Sequence, residues 1–139
     1  MNKLKFLSIS IGIIYLWFGV LKFFPDLSPA EVLATKTVEV LTFHLISPKL
    51  GCLLLAILEV TIGIGLMIGW KQSLFVKIAL GHMIFTFTPL FVFPEEAFTQ
   101  APYGFTIIGQ YIMKNIVIIM ALILLLPSKK NELQLVENV

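Results

Sequence analysis

Apolar residues run almost unbroken through four stretches of the 139-residue chain, at about residues 4–24, 50–70, 74–93 and 105–126. Each is about 20 residues long, enough to cross a hydrocarbon core as a helix. No water reaches that depth, so the backbone must satisfy its own N–H and C=O groups, which a helix does within one segment. Prolines or polar runs close the stretches: Pro25-Asp26, Lys71-Gln72-Ser73, Pro94-Glu95-Glu96 and Pro127. The pattern predicts an all-α membrane protein, a four-transmembrane-helix bundle over residues 1–127, followed by a short polar tail over 128–139.

A different pattern occupies the gap between the first two spans. Ser28-Pro29-Ala30-Glu31 combines an N-cap serine, a first-turn proline and a glutamate at the capping-box position. Ala34, Val38, Leu41 and Leu45 then recur at helical spacing, while Glu31, Thr35 and Glu39 keep a polar side. This predicts an amphipathic helix over about 29–46, lying flat on the outer membrane surface. The second outer loop, Pro94 to Gly104, carries Phe98 and Tyr103, aromatics suited to headgroup level. Lysine placement sets the orientation. Lys3, Lys5, Lys71, Lys129 and Lys130 fall on one side of a four-span hairpin, so that side, with both termini, is expected to be cytoplasmic.

Composition agrees. Hydrophobic residues make up 58% of the chain and charged residues 13%, with mean hydropathy +0.98. A soluble domain has about 45–50% and about 25%. The net charge of +2 is dispersed, which excludes a nucleic-acid partner. Cys52 stands alone, so the chain cannot form an internal disulfide, and a buried thiol acting as a small hydrophobe is expected. The run from Phe6 to Leu21 exceeds the about 7–15 residues of a signal-peptide core and meets no small-x-small site. It reads as a retained anchor helix.

The chemistry lies in the polar residues within the spans. Lys22 ends the first, Glu59 is central to the second, His82 falls in the third and Lys114 in the fourth. A charge at mid-membrane costs roughly 2.5–3.5 kcal/mol on insertion scales, so such residues are paired or used. At about 1.5 Å per residue, Glu59, His82 and Lys114 share one layer, with Lys22 above and long enough to reach it. Helical spacing stacks Gln110 on Lys114, with Tyr111 and Asn115 on the neighbouring strip. His82, Thr86 and Pro89 share a side, as do Tyr15, Gly19 and Lys22, and Cys52, Ala56, Glu59 and Gly63. Lys77 lies near the cytoplasmic end and is expected to snorkel; His44 is expected to be solvated.

These strips predict an outward-facing polar pocket lined by Lys22, Glu59, His82, Gln110, Lys114, Asn115 and Tyr111. One glutamate neutralises one lysine, so the cluster stays positive and favours an anionic or carbonyl-bearing ligand such as a quinone. The alternative is a staple, in which the Glu/Lys/His cluster holds the helices in register without a ligand. His82 has no second span histidine for bis-histidine haem ligation, zinc lacks a ligand set, and no covalently bound cofactor is expected. Proton transfer to an apolar substrate by Glu59 and His82 is a third option.

Several blocks carry a family resemblance. They are Trp17-Phe18-Gly19-Val20-Leu21-Lys22-Phe23-Phe24-Pro25, Leu27-Ser28-Pro29-Ala30-Glu31 and Leu58-Glu59-Val60-Thr61-Ile62-Gly63-Ile64-Gly65-Leu66. Gly81-His82-Met83 and Gly109-Gln110-Tyr111-Ile112-Met113-Lys114-Asn115 complete the set, the last being the most specific. In order and spacing the chain resembles the DoxX-like family of small bacterial membrane proteins. Members often carry an acid before the Gly-Gln-Tyr block, where this chain has Ile108. The resemblance implies a four-helix membrane protein, with some relatives linked to membrane redox systems, including a quinone-coupled thiosulfate oxidoreductase subunit, and more distant relatives that look like assembly factors for other membrane proteins. It implies an accessory or membrane subunit, any catalysis belonging to an oxidoreductase complex. Expected partners are the bilayer, a membrane or periplasmic protein, and a second copy of the chain.

Overall fold

The computed structural model describes residues 2–24, 27 and 31–127. The expected cap at Ser28-Pro29-Ala30 and the tail at 128–139 lie outside the described residues. Helix α1 (Lys3–Leu21) opens on Asn2, whose side chain accepts from the Leu4 amide. Helix α2 (Glu31–Leu41) follows, and α3 (Pro48–Ile68) opens on Ser47, which accepts from the Leu50 amide. Pro48 occupies the first turn, where its missing N–H costs nothing. Gly69, at φ 77°, ends α3 in the left-handed conformation and returns its N–H to the Gly65 carbonyl. These caps place the second span two residues earlier than the hydropathy pattern does, at 48–68 rather than 50–70.

The third span is not one helix over 74–93. Helix α4 (Gln72–Phe85) stops, residues 86–88 form a tightened turn, and α5 (Pro89–Val92) resumes. The reason is Pro89, which has no N–H to offer the Phe85 carbonyl; Thr88 donates to that oxygen instead, at 3.1 Å. A short α6 (Pro94–Ala97) leads to strands β1 (Phe98–Gln100) and β2 (Gly104–Phe105), paired antiparallel. The second loop thus carries a small two-stranded ribbon, a local addition to the expected all-α bundle. Helix α7 (Ile107–Leu124) opens on Thr106, whose hydroxyl accepts from Gly109 and donates to the Glu96 carbonyl at 2.8 Å.

Four helical segments, Lys3–Leu21, Pro48–Ile68, Gln72–Val92 and Ile107–Leu124, are long and apolar enough to cross a membrane. This is the architecture of a multi-pass membrane protein. Helices α1 and α3 pack most closely: a methyl group on Gly63 would lie 2.7 Å from the Leu16 amide nitrogen and 2.8 Å from the Gly12 carbonyl oxygen. Small residues let two helix backbones meet where lipid supplies no hydrophobic drive.

The main buried cluster lies toward one end of the bundle, while Leu33, Cys52 and Ile112 are buried toward the other. Ile11, Tyr15, Leu66, Val76, Ala79, Leu122 and Leu125 fill the half nearer the termini. Asn2, Lys5, Gly69, Gln72 and Leu125 border one recess at that end, so the start of α1, the α3–α4 turn and the end of α7 lie together. The other half holds the cavity.

Helix α2 is shorter than the expected 29–46 and does more than lie on a surface. It ends at Leu41 because Phe43 and His44 adopt positive φ, 52° and 61°, and Leu45 is left exposed beyond it. Leu33 and Thr37 are buried, and with Ala34, Val38 and Leu41 they face the cavity. Helix α2 is therefore its roof. Glu31, expected on the polar side, turns inward, and its Oε1 accepts from the Cys52 thiol at 3.6 Å. His44 is exposed and faces Glu39 across 3.2 Å.

Candidate functional site

Lys22, Glu59 and His82 meet. Gly19 lets α1 press against α3 at Glu59, and Lys22, three residues on, points along the same face. The Lys22 Nζ donates to Glu59 Oε2 at 2.7 Å, with only 9% of either side chain exposed. His82 Nε2 lies 3.5 Å from the other oxygen, Oε1. Removing either ion would strand its partner, which is why such pairs hold helices in register.

Tyr15 completes the network, although its place in the strip with Gly19 and Lys22 was the only sequence signal for it. Its hydroxyl donates to the Ala79 carbonyl at 3.0 Å and lies 3.3 Å from His82 Nδ1. His82 thus bridges the two groups, with Nδ1 toward the Tyr15 hydroxyl and Nε2 toward Glu59. One turn further on, Thr86 donates to the Met83 carbonyl at 2.6 Å and accepts from Asn115 Nδ2 at 2.9 Å. This contact ties α7 to the break in the third span.

These groups floor a cavity of about 720 Å³ between α1, α3, α4 and α7, under α2. Its walls are mostly apolar, with Ile14, Phe18, Leu33, Leu55, Phe85 and Ile112 among them. Lys114, Tyr111 and Asn115 also line it. The Lys114 ammonium sits 5.2 Å from the centroid of the Tyr111 ring and, among the described residues, makes no ion pair. Glu59 is taken by Lys22, so Lys114, an exposed residue, is a cavity-lining charge with no ion-pair partner among the described residues.

Gln110 is the exception among the residues expected here. It is exposed and absent from the lining, which on α7 runs through Ile107, Ile108, Tyr111, Ile112, Lys114, Asn115 and Ile118. At 3.6 residues per turn, Gln110 falls one step round the helix beyond Lys114. Thr37 and Leu33, which close the roof, carried no sequence signal beyond helical spacing. Among the described residues, no three His, Cys, Asp or Glu side chains come together as a metal site would require.

No protein-family model, no curated protein and no solved structure matches this chain. The DoxX-like resemblance rests on its sequence blocks alone.

Proposed function

We propose that the protein binds a lipophilic ligand with a quinone-like or anionic headgroup, and serves a membrane redox system as a DoxX-like accessory subunit. The supporting observation is the cavity of about 720 Å³, apolar in its walls and floored by the Lys22–Glu59–His82 network with Lys114 beside it. Small-molecule sites are typically about 300–1,000 Å³, apolar, with a few convergent polar groups. On this reading the chain sits in a bacterial inner membrane with both termini in the cytoplasm, and the redox centre belongs to a partner protein. The test is extraction and mass spectrometry of lipids from purified protein. A quinone or other small lipophile should co-purify in near-stoichiometric amount and be lost in Lys114→Gln; its absence from wild type overturns the reading.

A second reading has its own support. The Lys22–Glu59 pair is complete without a ligand, as a staple in a non-enzymatic assembly or interaction protein requires. It expects Glu59→Gln to lower thermal stability yet leave partner pull-down intact at matched expression.

A further inference from the structure

We infer that the cavity opens sideways into the bilayer between α1 and α7, and that its ligand is a single-chain amphiphile lying head inward with its chain passing out through that gap. The inference rests on the reading of the cavity as a ligand site. It begins from the way the helices are tied. Helix α1 is held to α3 by the Gly19 contact and the Lys22–Glu59 pair. Helix α7 is held to the third span by the hydrogen bond from Asn115 to Thr86. Among the described residues, no ion pair or side-chain hydrogen bond joins α1 to α7. The two helices meet toward the termini, where Ile11 and Leu122 share the buried cluster. Toward α2, the side chains that could close the gap line the cavity instead.

Phe18 and Tyr111 mark that gap. Phe18 lies three residues before the end of α1 and Tyr111 four residues after the start of α7. At about 1.5 Å per residue they stand about 4.5 and 6 Å below the helix ends, at nearly one depth. Both line the cavity, and both are exposed on the bundle surface, Phe18 by 44% and Tyr111 by 57%. Ile14 and Ile107, one turn from each, also line the cavity and are exposed. Leu41 and Phe85 share both properties, but on the side that α2 crosses as it packs on α3 and α5. There the Lys36–Glu96 pair ties the roof to the second loop. The open side is the one between α1 and α7.

The depth of the gap sets the class of ligand. A molecule arriving about one turn below the helix ends comes dissolved in the bilayer, held there by its chain. Lys22 and Glu59, each only 9% exposed, form a polar floor that offers the head hydrogen bonds hydrocarbon lacks. The chain stays among lipid tails throughout. A head without a chain is not drawn to this depth, and a two-chain lipid would have to pass both chains between the same two helices.

The test uses full-length protein in nanodiscs with two probes, decylubiquinone and dodecyl phosphate, each also prepared with a diazirine at the end of its chain. Photolysis of the wild-type complex should label α1 near Ile14 and Phe18 or α7 near Ile107 and Tyr111, as located by peptide mass spectrometry. Label on α2 or at Phe85 overturns the inference. Phe18→Trp and Tyr111→Trp, which narrow the gap, should slow binding and release alike by at least about fivefold, moving both rates more than Kd, while Lys36→Ala, which loosens the roof, should leave them within about twofold. Rates that answer to Lys36→Ala and not to the tryptophan variants overturn the gap and leave the cavity reading standing. So does a quinone head without its chain that binds as tightly as decylubiquinone. Binding of neither probe removes both.

Discussion

Gly19 and Glu59 touch where α1 crosses α3: a methyl group on the glycine would lie 2.9 Å from the Glu59 Cβ and 2.8 Å from the Val60 amide nitrogen. The buried ion pair depends on that contact, because Lys22 reaches Glu59 only while the helices stay this close.

Gly19→Ala should therefore force the helices apart and cost about 1–3 kcal/mol, as overpacking does. Gly81→Ala is the control, since a methyl there meets nothing within 4 Å and removes a helix glycine. It should be neutral or stabilise by up to about 1 kcal/mol. Thermal denaturation in detergent compares the two, and equal effects would refute the account of Gly19.

Lys22→Met should destabilise by about 3–5 kcal/mol, because it leaves the Glu59 carboxylate buried without its cation. Glu59→Gln should do comparable harm by stranding the ammonium. The double variant should recover most of the loss, and a double-mutant cycle on reversible unfolding in detergent measures the coupling. Additive effects would show that the pair does not act as a unit.

The Lys36 ammonium contacts Glu96 Oε1 at 2.6 Å and joins the roof helix to the second loop, with both side chains partly exposed. Lys36→Ala should cost only about 0.2–1 kcal/mol. It should nevertheless speed maleimide labelling of Cys52, which is buried beneath α2 and contacts the Lys22 carbonyl and Glu31. An unchanged labelling rate would mean that the ion pair does not hold the roof.

Asn115→Leu should remove the hydrogen bond to Thr86 and cost about 0.6 kcal/mol, up to about 2, as interhelical hydrogen bonds in membranes do. Thr86→Val should match it and also lose the bond to the Met83 carbonyl. Hydrogen exchange over residues 82–92 should rise in both variants, since the contact steadies the break before Pro89.

The spans were legible because a long apolar run has one answer in lipid, and the Lys22, Glu59 and His82 convergence followed from counting residues inward along each span. Their ends were less legible. Ser47 and Gly69 set the limits of α3 through caps that a hydropathy pattern averages away. The break at 86–88 was visible only as Pro89, whose missing N–H the apolar pattern does not register. Tyr15 was hidden because its value lies in Ala79 and His82, on another helix. Gln110 misled because stacking on Lys114 by sequence places it near the lining strip but not on it.

The close meeting of Gly12 with Gly63, and a main buried cluster toward the same end, make the bundle mechanically unequal along its length. One end combines backbone contact with dense packing, while around the cavity the Gly19–Glu59 contact is joined only by a roof, an ion pair and a hydrogen bond. Bilayer stress, which squeezes a helical bundle differently at each depth, should act on the cavity well before it reaches the core. If the cavity is the ligand site proposed above, its occupancy should follow lateral pressure in the leaflet beneath α2.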